Sequence, residues 1–284
     1  MTAHVAEARE NSGRVLIWLE PSKSCSPPVF AAASRLASAF GAFLETVVVG
    51  DHELPPLNDV PLGRVTCAAN GAASGSSQGN IFALTVRRQQ RMAAEAAARS
   101  GVTARHSHAD GEAIDRLDDM CRQYGPWNIV VLARAPGGDT AQTVSSILAN
   151  VNGATGVLAA GLNARPASGD VILAVEDAER IPSFLRAAER LRRGNGRIRL
   201  MLVSDTRAEM AGLEDAARLA VAGQSGIEFM QPVVSFGACD AASDTLARQK
   251  ASFVLARFGG VAVPSDRGFA RLLVVAKSPF LLVR

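Results

Sequence analysis

Apolar runs of strand length alternate along the chain with longer segments whose apolar residues recur every three or four positions. The first run, 15–19, is followed by a helical pattern that starts near Pro28 and stops at Gly41. This alternation predicts an α/β fold with parallel strands, right-handed crossovers and helices on the faces of the sheet. The strands predicted in the first part of the chain are 15–19, 43–49, 102–108, 128–133 and 156–160.

The same order of elements returns in the second part of the chain, which indicates an internal repeat. The run ending in Glu20 resembles the run ending in Glu176, and the tetrapeptide Val-Leu-Ala-Arg occurs twice, ending at Arg134 and at Arg257. A Gly-Gly pair follows each tetrapeptide within a few residues. The strands predicted in the second part are 171–175, 198–203, 227–236, 251–256 and 280–283.

The repeat predicts two flavodoxin-like (Rossmann-like) open parallel-sheet domains in tandem, related by pseudo-two-fold symmetry and joined through their final strands. We place a leader at 1–13, the first domain at 14–161, a linker at 162–169 and a shorter second domain at 170–284. Within the first domain, the Gly-, Ser- and Pro-rich crossing 50–80 is expected to be mobile and to be cut first by proteases.

Composition narrows the class of protein. The chain has 284 residues, 48% of them apolar and 20% charged, which is ordinary for globular domains. Its formal net charge of +3 is too small to require nucleic acid or an anionic membrane as a partner. No apolar run is long enough to span a bilayer, and the leader lacks the pattern of a secretory signal, so we expect a cytoplasmic protein. The four cysteines include no CxxC pair, which disfavours a structural zinc site and favours reduced thiols.

An apolar strand ending in an acid, a crossover, a Gly after the third strand and then strand, glycine loop, helix and strand resembles the universal stress protein family in tandem form. Further points of similarity are the turn Gly111-Glu112, its counterpart Gly237, and the proline-led last strand in 276–283. This resemblance covers nearly the whole chain. It implies a flavodoxin-like sandwich, adenine-nucleotide binding in some members and pairing of two domains through their last strands.

In the ATP-binding members of that family the fourth strand leads into spaced glycines, the last followed by serine or threonine. Such a loop brings backbone amides close to phosphates at a helix N-terminus. In the first copy the first two glycine positions hold Ala133 and Pro136, and the third falls near Ser145 and Ser146. The adjacent pair Gly137 and Gly138 remains available for a displaced loop.

The second copy departs from the motif differently. Ala256 holds the first position, Gly259 with Gly260 the second, and Gly268 the third, but Phe269 follows where the motif has a hydroxyl. The resemblance therefore implies degraded nucleotide sites in both copies.

Four charged residues lie where ligands of open α/β sheets bind, at the carboxyl ends of the strands. Glu20 and Glu176 stand where the family usually has aspartate near the adenosine. Arg134 and Arg257 end the fourth strands, where each guanidinium could hold a phosphate or form a salt bridge with Glu20 or Glu176. If any anion binds, we expect it beside these arginines and their Gly-Gly turns, and weakly.

Other polar groups support no further site. His106 and His108 face the same side of a predicted strand, with Asp110 beyond, but the remaining ligands of a metal site are missing. Arginines on the helix predicted at 81–100 are typical of a solvated face, although they could attract an acidic partner. No nucleophile with a His and Asp partner can be assigned.

The favoured hypothesis is a non-enzymatic stress-response or regulatory protein acting through an unidentified protein partner, with no cofactor and a possible homodimer of the tandem chain. A second hypothesis is a genuine sensor that binds ATP or AMP. The third is an enzyme of the α/β group that handles adenine nucleotides. Equilibrium dialysis distinguishes the first two, and slow nucleotide turnover that depends on Glu20 or Arg134 would favour the third.

Overall fold

A computed structural model of the chain describes residues 13–20, 22–23, 25–50, 75–123, 125, 127–165, 169–235 and 240–284. Most of the predicted leader, most of the crossing 50–80, part of the linker and Gly237 lie outside these residues. The predictions made for them, mobility and protease sensitivity included, stay predictions.

Strands and helices alternate along most of the described chain. The elements of its first part are β1 (Arg14–Leu19), α1 (Pro27–Phe40), β2 (Phe43–Val49), α2 (Gly75–Arg99), β3 (Ala104–Ala109), α3 (Ala113–Gln123), β4 (Asn128–Leu132), α4 (Thr140–Asn150) and β5 (Ala154–Ala159). Those of its second part are β6 (Val171–Val175), a 3-10 turn (Ala178–Arg180), α5 (Ile181–Leu191), β7 (Ile198–Ser204), α6 (Arg207–Val221), β8 (Ile227–Phe229), β9 (Val233–Val234), α7 (Asp240–Arg248), β10 (Phe253–Arg257), α8 (Arg267–Val275) and β11 (Phe280–Val283).

Two sequence-based boundaries are wrong. Helix α2 begins at Gly75, so residues 75–80 belong to the helix and not to the crossing. The single strand predicted at 227–236 is two short strands, β8 and β9, which pair with successive parts of β7. Pro232 separates them, because proline has no amide hydrogen to donate to a ladder. The described residues thus form eleven strands instead of ten.

All strands on the main path lie in one sheet, in the order β3-β2-β1-β4-β5-β11-β10-β6-β7-β8. Every neighbouring pair is parallel except β5 and β11, which run antiparallel with Leu281 opposite Leu158. The predicted contact between the two final strands is therefore confirmed. The strand order read outward from this pair is equivalent on both sides, whereas the pseudo-two-fold symmetry and the domain boundaries stay predictions.

Apolar side chains fill both faces of the sheet, as alternation along buried strands requires. Ile17 points into the layer of α1, α2, α5 and α6, whereas its neighbour Trp18 points into the layer of α3, α4, α7 and α8. This arrangement confirms the predicted α/β class. Among the described residues, no helix is both long and apolar enough to cross a membrane.

Candidate functional site

Arg134 lies just beyond the carboxyl end of β4, and its side chain is only 3% exposed. Its Nη1 donates to Glu20 Oε1 at 3.3 Å and to Asp139 Oδ2 at 3.2 Å. Its Nη2 donates to Thr143 Oγ1 at 2.6 Å, and its buried Nε has no hydrogen-bond partner. The guanidinium is thus held between two carboxylates and a hydroxyl, which is the salt-bridge alternative considered for this residue.

The two carboxyl groups around Arg134 have opposite pKa shifts. Burial raises the pKa of Glu20 above its usual value, and the nearby Arg134 charge opposes that rise. Asp139 is more exposed, and a hydrogen bond from Lys23 lowers its pKa, with a further contribution from Arg134. Lys23 Nζ lies 3.1 Å from Asp139 Oδ2. The cluster therefore contains two cations and two acids, and its charges balance when both acids are ionised.

The turn Gly137-Gly138 leads from Arg134 into α4. The amide of Gly137 already donates to Thr140 Oγ1 at 2.8 Å. Ser145 and Ser146 line an open cleft of about 550 Å³ between α4 and the start of α8. The structure thus brings Glu20 and Arg134 together beside the glycine turn, and Gly138 of that turn shares the cleft with the two serines.

At the other end of the sheet, the Glu176 carboxylate lies inside the second glycine loop. Its Oε1 accepts a hydrogen bond from the Ala262 amide at 2.6 Å, and the nearby Val261 amide also favours the ionised form of the carboxyl group. A methyl group at Gly260 would overlap this carboxylate. Burial raises the pKa of Glu176, and the two amides partly oppose the rise. Glu176 thus occupies the place in which loop amides would face a bound anion.

The other residues predicted for the second site are Gly259, Gly268 and Arg257. Gly259 has a φ of +74°, which an L side chain rarely adopts. The amide of Gly268 donates to Oδ1 of Asp266, the residue that caps α8, at 2.8 Å. Arg257 is exposed, and its positive charge lowers the pKa of Glu176.

Sequence reasoning missed three groups that complete these sites. Asp139 and Thr143 accept hydrogen bonds from Arg134, and Asp266 accepts one from the Gly268 amide. An acid just before a helical pattern is a common helix-start signal, so Asp139 and Asp266 could have been found. Nothing local to the sequence marks the contact of Glu176 with the Ala262 amide, because the two residues are 86 positions apart.

The histidines on β3 form no metal site in the described structure. His106 Nδ1 lies 2.7 Å from Thr46 Oγ1, and His108 Nδ1 lies 3.5 Å from Asp110 Oδ1. Burial lowers the pKa of His106. No group of three or more potential metal-binding side chains occurs among the residues described.

No protein-family model and no curated protein matches the chain. Among solved structures, it is similar to a universal stress protein from Archaeoglobus fulgidus, with a TM-score of 0.57, 10% identity, and coverage of 95% of this chain and 98% of that chain. It is also similar to a protein of unknown function from Pseudomonas aeruginosa, with a TM-score of 0.50, 13% identity, and coverage of 99% of this chain and 94% of that chain. The chain therefore has the fold of universal stress proteins.

Proposed function

We propose that this chain is a stress-response or regulatory protein of the universal stress type, which acts through protein partners without catalysing a reaction and binds adenine nucleotides weakly or not at all. The observation that carries the proposal is that the groups best placed to hold phosphates already bind the chain's own side chains. The fold similarity supports the universal stress type.

In the first half the positive charge of Arg134 is already balanced by carboxylates. The Arg134 guanidinium contacts Glu20 and Asp139, and Gly137 donates to Thr140. A phosphate entering this site would have to displace one carboxylate and approach the other. The negative phosphate and the remaining carboxylate would repel each other, so the expected affinity for phosphate is low.

In the second half the loop amides already donate hydrogen bonds to carboxylates of the chain. Glu176 accepts from the loop amides, and Asp266 accepts from Gly268. Hydrogen bonds to charged groups contribute about 1.5 to 3 kcal/mol each. Two donors lost to internal acceptors would thus weaken a phosphate complex about a hundredfold or more.

Calorimetric titration with ATP and with AMP tests this proposal. We expect no stoichiometric binding by the unaltered chain at micromolar concentration. Glu176→Ala, which frees the loop amides, should bind ATP at least about tenfold more tightly than the unaltered chain. The matched control is Glu179→Ala, which removes an exposed acid from the following turn and should leave the affinity for ATP unchanged.

Tight, stoichiometric ATP binding by the unaltered chain would overturn the proposal and favour a nucleotide sensor. Turnover of ATP that disappears in Glu20→Gln or Arg134→Gln would favour an enzyme. If Glu176→Ala binds no more tightly than Glu179→Ala, occupancy of the loop by the carboxylate is not what limits binding.

A further inference from the structure

Three arginines, Arg35, Arg190 and Arg193, lie along the line where α1 packs against α5; we call them the arginine seam. The Arg35 guanidinium carbon lies 5.5 Å from the ring centre of Phe253, and that of Arg190 lies 5.6 Å from the ring centre of Phe40. Aromatic faces attract cations and hold guanidinium groups in place. The first two guanidiniums are thus positioned by packing against rings.

The third member, Arg193, donates from Nη2 to Ser38 Oγ on α1 at 3.5 Å. Ser38 lies one turn after Arg35, so both contacts fall on the C-terminal half of the same helix. Burial lowers the pKa of Arg35, and the charge of Arg193 lowers it further. Because residues three apart on a helix are neighbours, the contact with Ser38 places the Arg193 guanidinium near Arg35, where the two positive charges repel each other.

No carboxylate in the described part of the chain forms an ion pair with any member of the seam. The nearest acid along α5, Glu189, is already paired with Arg192 at 2.8 Å. The C-terminal end of α1 contributes about half a negative charge through its dipole. Three guanidiniums carry three positive charges, so the seam keeps a clear excess of positive charge.

This location differs from the candidate nucleotide sites. Helix α1 begins after the carboxyl end of β1 and ends just before β2, so its C-terminal half lies at the amino ends of the first-half strands. Glu20, Arg134 and the glycine turn lie at the carboxyl ends. An anion bound at the seam would therefore contact none of these groups.

We propose that the arginine seam is a second anion site, which takes a small, multiply charged ligand of the phosphate class. Guanidinium groups provide paired N–H donors that match phosphate oxygens, and a bound anion would cancel the repulsion between Arg35 and Arg193. This proposal does not depend on whether either strand-end site binds nucleotide.

Calorimetric titration with inorganic pyrophosphate at low salt tests the site. Arg193→Gln is the first variant because Arg193 is exposed, so its loss should not affect folding. We expect its dissociation constant to rise at least about tenfold, one decade for each charge-assisted bond removed. Arg35→Gln should have a similar effect, whereas Arg35→Lys, which keeps the charge but loses the paired donors, should weaken binding less than Arg35→Gln.

Two controls separate the seam from other positive groups. Arg248→Gln changes an exposed arginine on α7 and should leave binding unchanged. Arg257→Gln alters the strand-end arginine and should also leave it unchanged. Absence of pyrophosphate binding up to millimolar concentration would overturn the proposal, as would binding that is lost in Arg257→Gln but kept in Arg193→Gln.

Discussion

Replacing Arg14 with methionine should destabilise the fold more than almost any other single change at a charged residue. Arg14 is the first residue of β1 and is fully buried. Its Nη1 donates to Glu45 Oε2 at 2.8 Å, its Nε to Asn128 Oδ1 at 3.3 Å, and its Nη2 to the carbonyl oxygen of Met120. One side chain thus links β1 to β2, to β4 and to the end of α3.

The size of the effect follows from what the substitution leaves behind. Glu45 has a side chain only 12% exposed, and the substitution would remove its ion-pair partner. Removing one member of a buried ion pair costs about 3 to 5 kcal/mol. Domains of this size have total stabilities of about 5 to 15 kcal/mol, so a large part of the stability would be lost. The melting temperature should fall by roughly 6 to 20 °C, at about 2 to 4 °C per kcal/mol.

Urea denaturation followed by far-UV circular dichroism measures this loss. The control is Arg218→Met, which breaks an exposed pair with Glu214 and should cost no more than about 1 kcal/mol. The double variant Arg14→Met with Glu45→Leu should recover much of the loss, because it removes the unpaired buried charge. If Arg14→Met costs no more than Arg218→Met, the reasoning about the buried pair is refuted.

Two further predictions concern the second glycine loop. Gly260→Ala should lower the free energy of unfolding, measured by urea denaturation, by about 1 to 3 kcal/mol, because its methyl group displaces the Glu176 carboxylate. The control is Gly138→Ala, which has no atom within 4 Å of the new methyl group and should leave the free energy of unfolding unchanged. Equal losses in the two variants would contradict this account. Burial raises the pKa of Glu176 above 4.5, so ionisation is less favourable in the folded state than in the unfolded state. The free energy of unfolding should therefore fall as pH rises through the raised pKa. Urea titrations between about pH 4 and about pH 8 should show a smaller fall in Glu176→Gln, and an identical pH profile would argue against a raised pKa.

Much of the fold could be predicted from the sequence because its determinants are local. Apolar runs fix the strands, and Gly41 ends α1 in a left-handed conformation with a φ of +63°. The split between β8 and β9 was missed, although Pro232 provides the signal. The role of Arg14 could not be inferred, because a charged residue before an apolar run has the pattern of a polar flank and its partners come from other strands.

The candidate site was predictable in position but only partly in chemistry. The topology places Glu20 and Arg134 at adjacent strand ends, so their contact was one of the alternatives that the sequence allowed. Phe269, which stands where the family motif has a hydroxyl, is fully buried with its ring 5.3 Å from that of Phe258. Its role is core packing, which depends on tertiary structure and has no local signature.

The groups that we propose as phosphate donors are occupied differently in the two halves, and this difference determines what could free an anion site in each. In the first half a cation is neutralised by acids, so the guanidinium of Arg134 becomes available only when Glu20 or Asp139 is removed. In the second half a carboxylate accepts from the loop amides, so loss of Glu176 would free these amides beside the exposed Arg257, although the Gly268 amide would stay bound to Asp266. Adding back the missing motif residues at Pro136 or Phe269 would leave these internal contacts intact. The weak nucleotide binding that we propose would therefore depend more on occupied donors than on lost glycines.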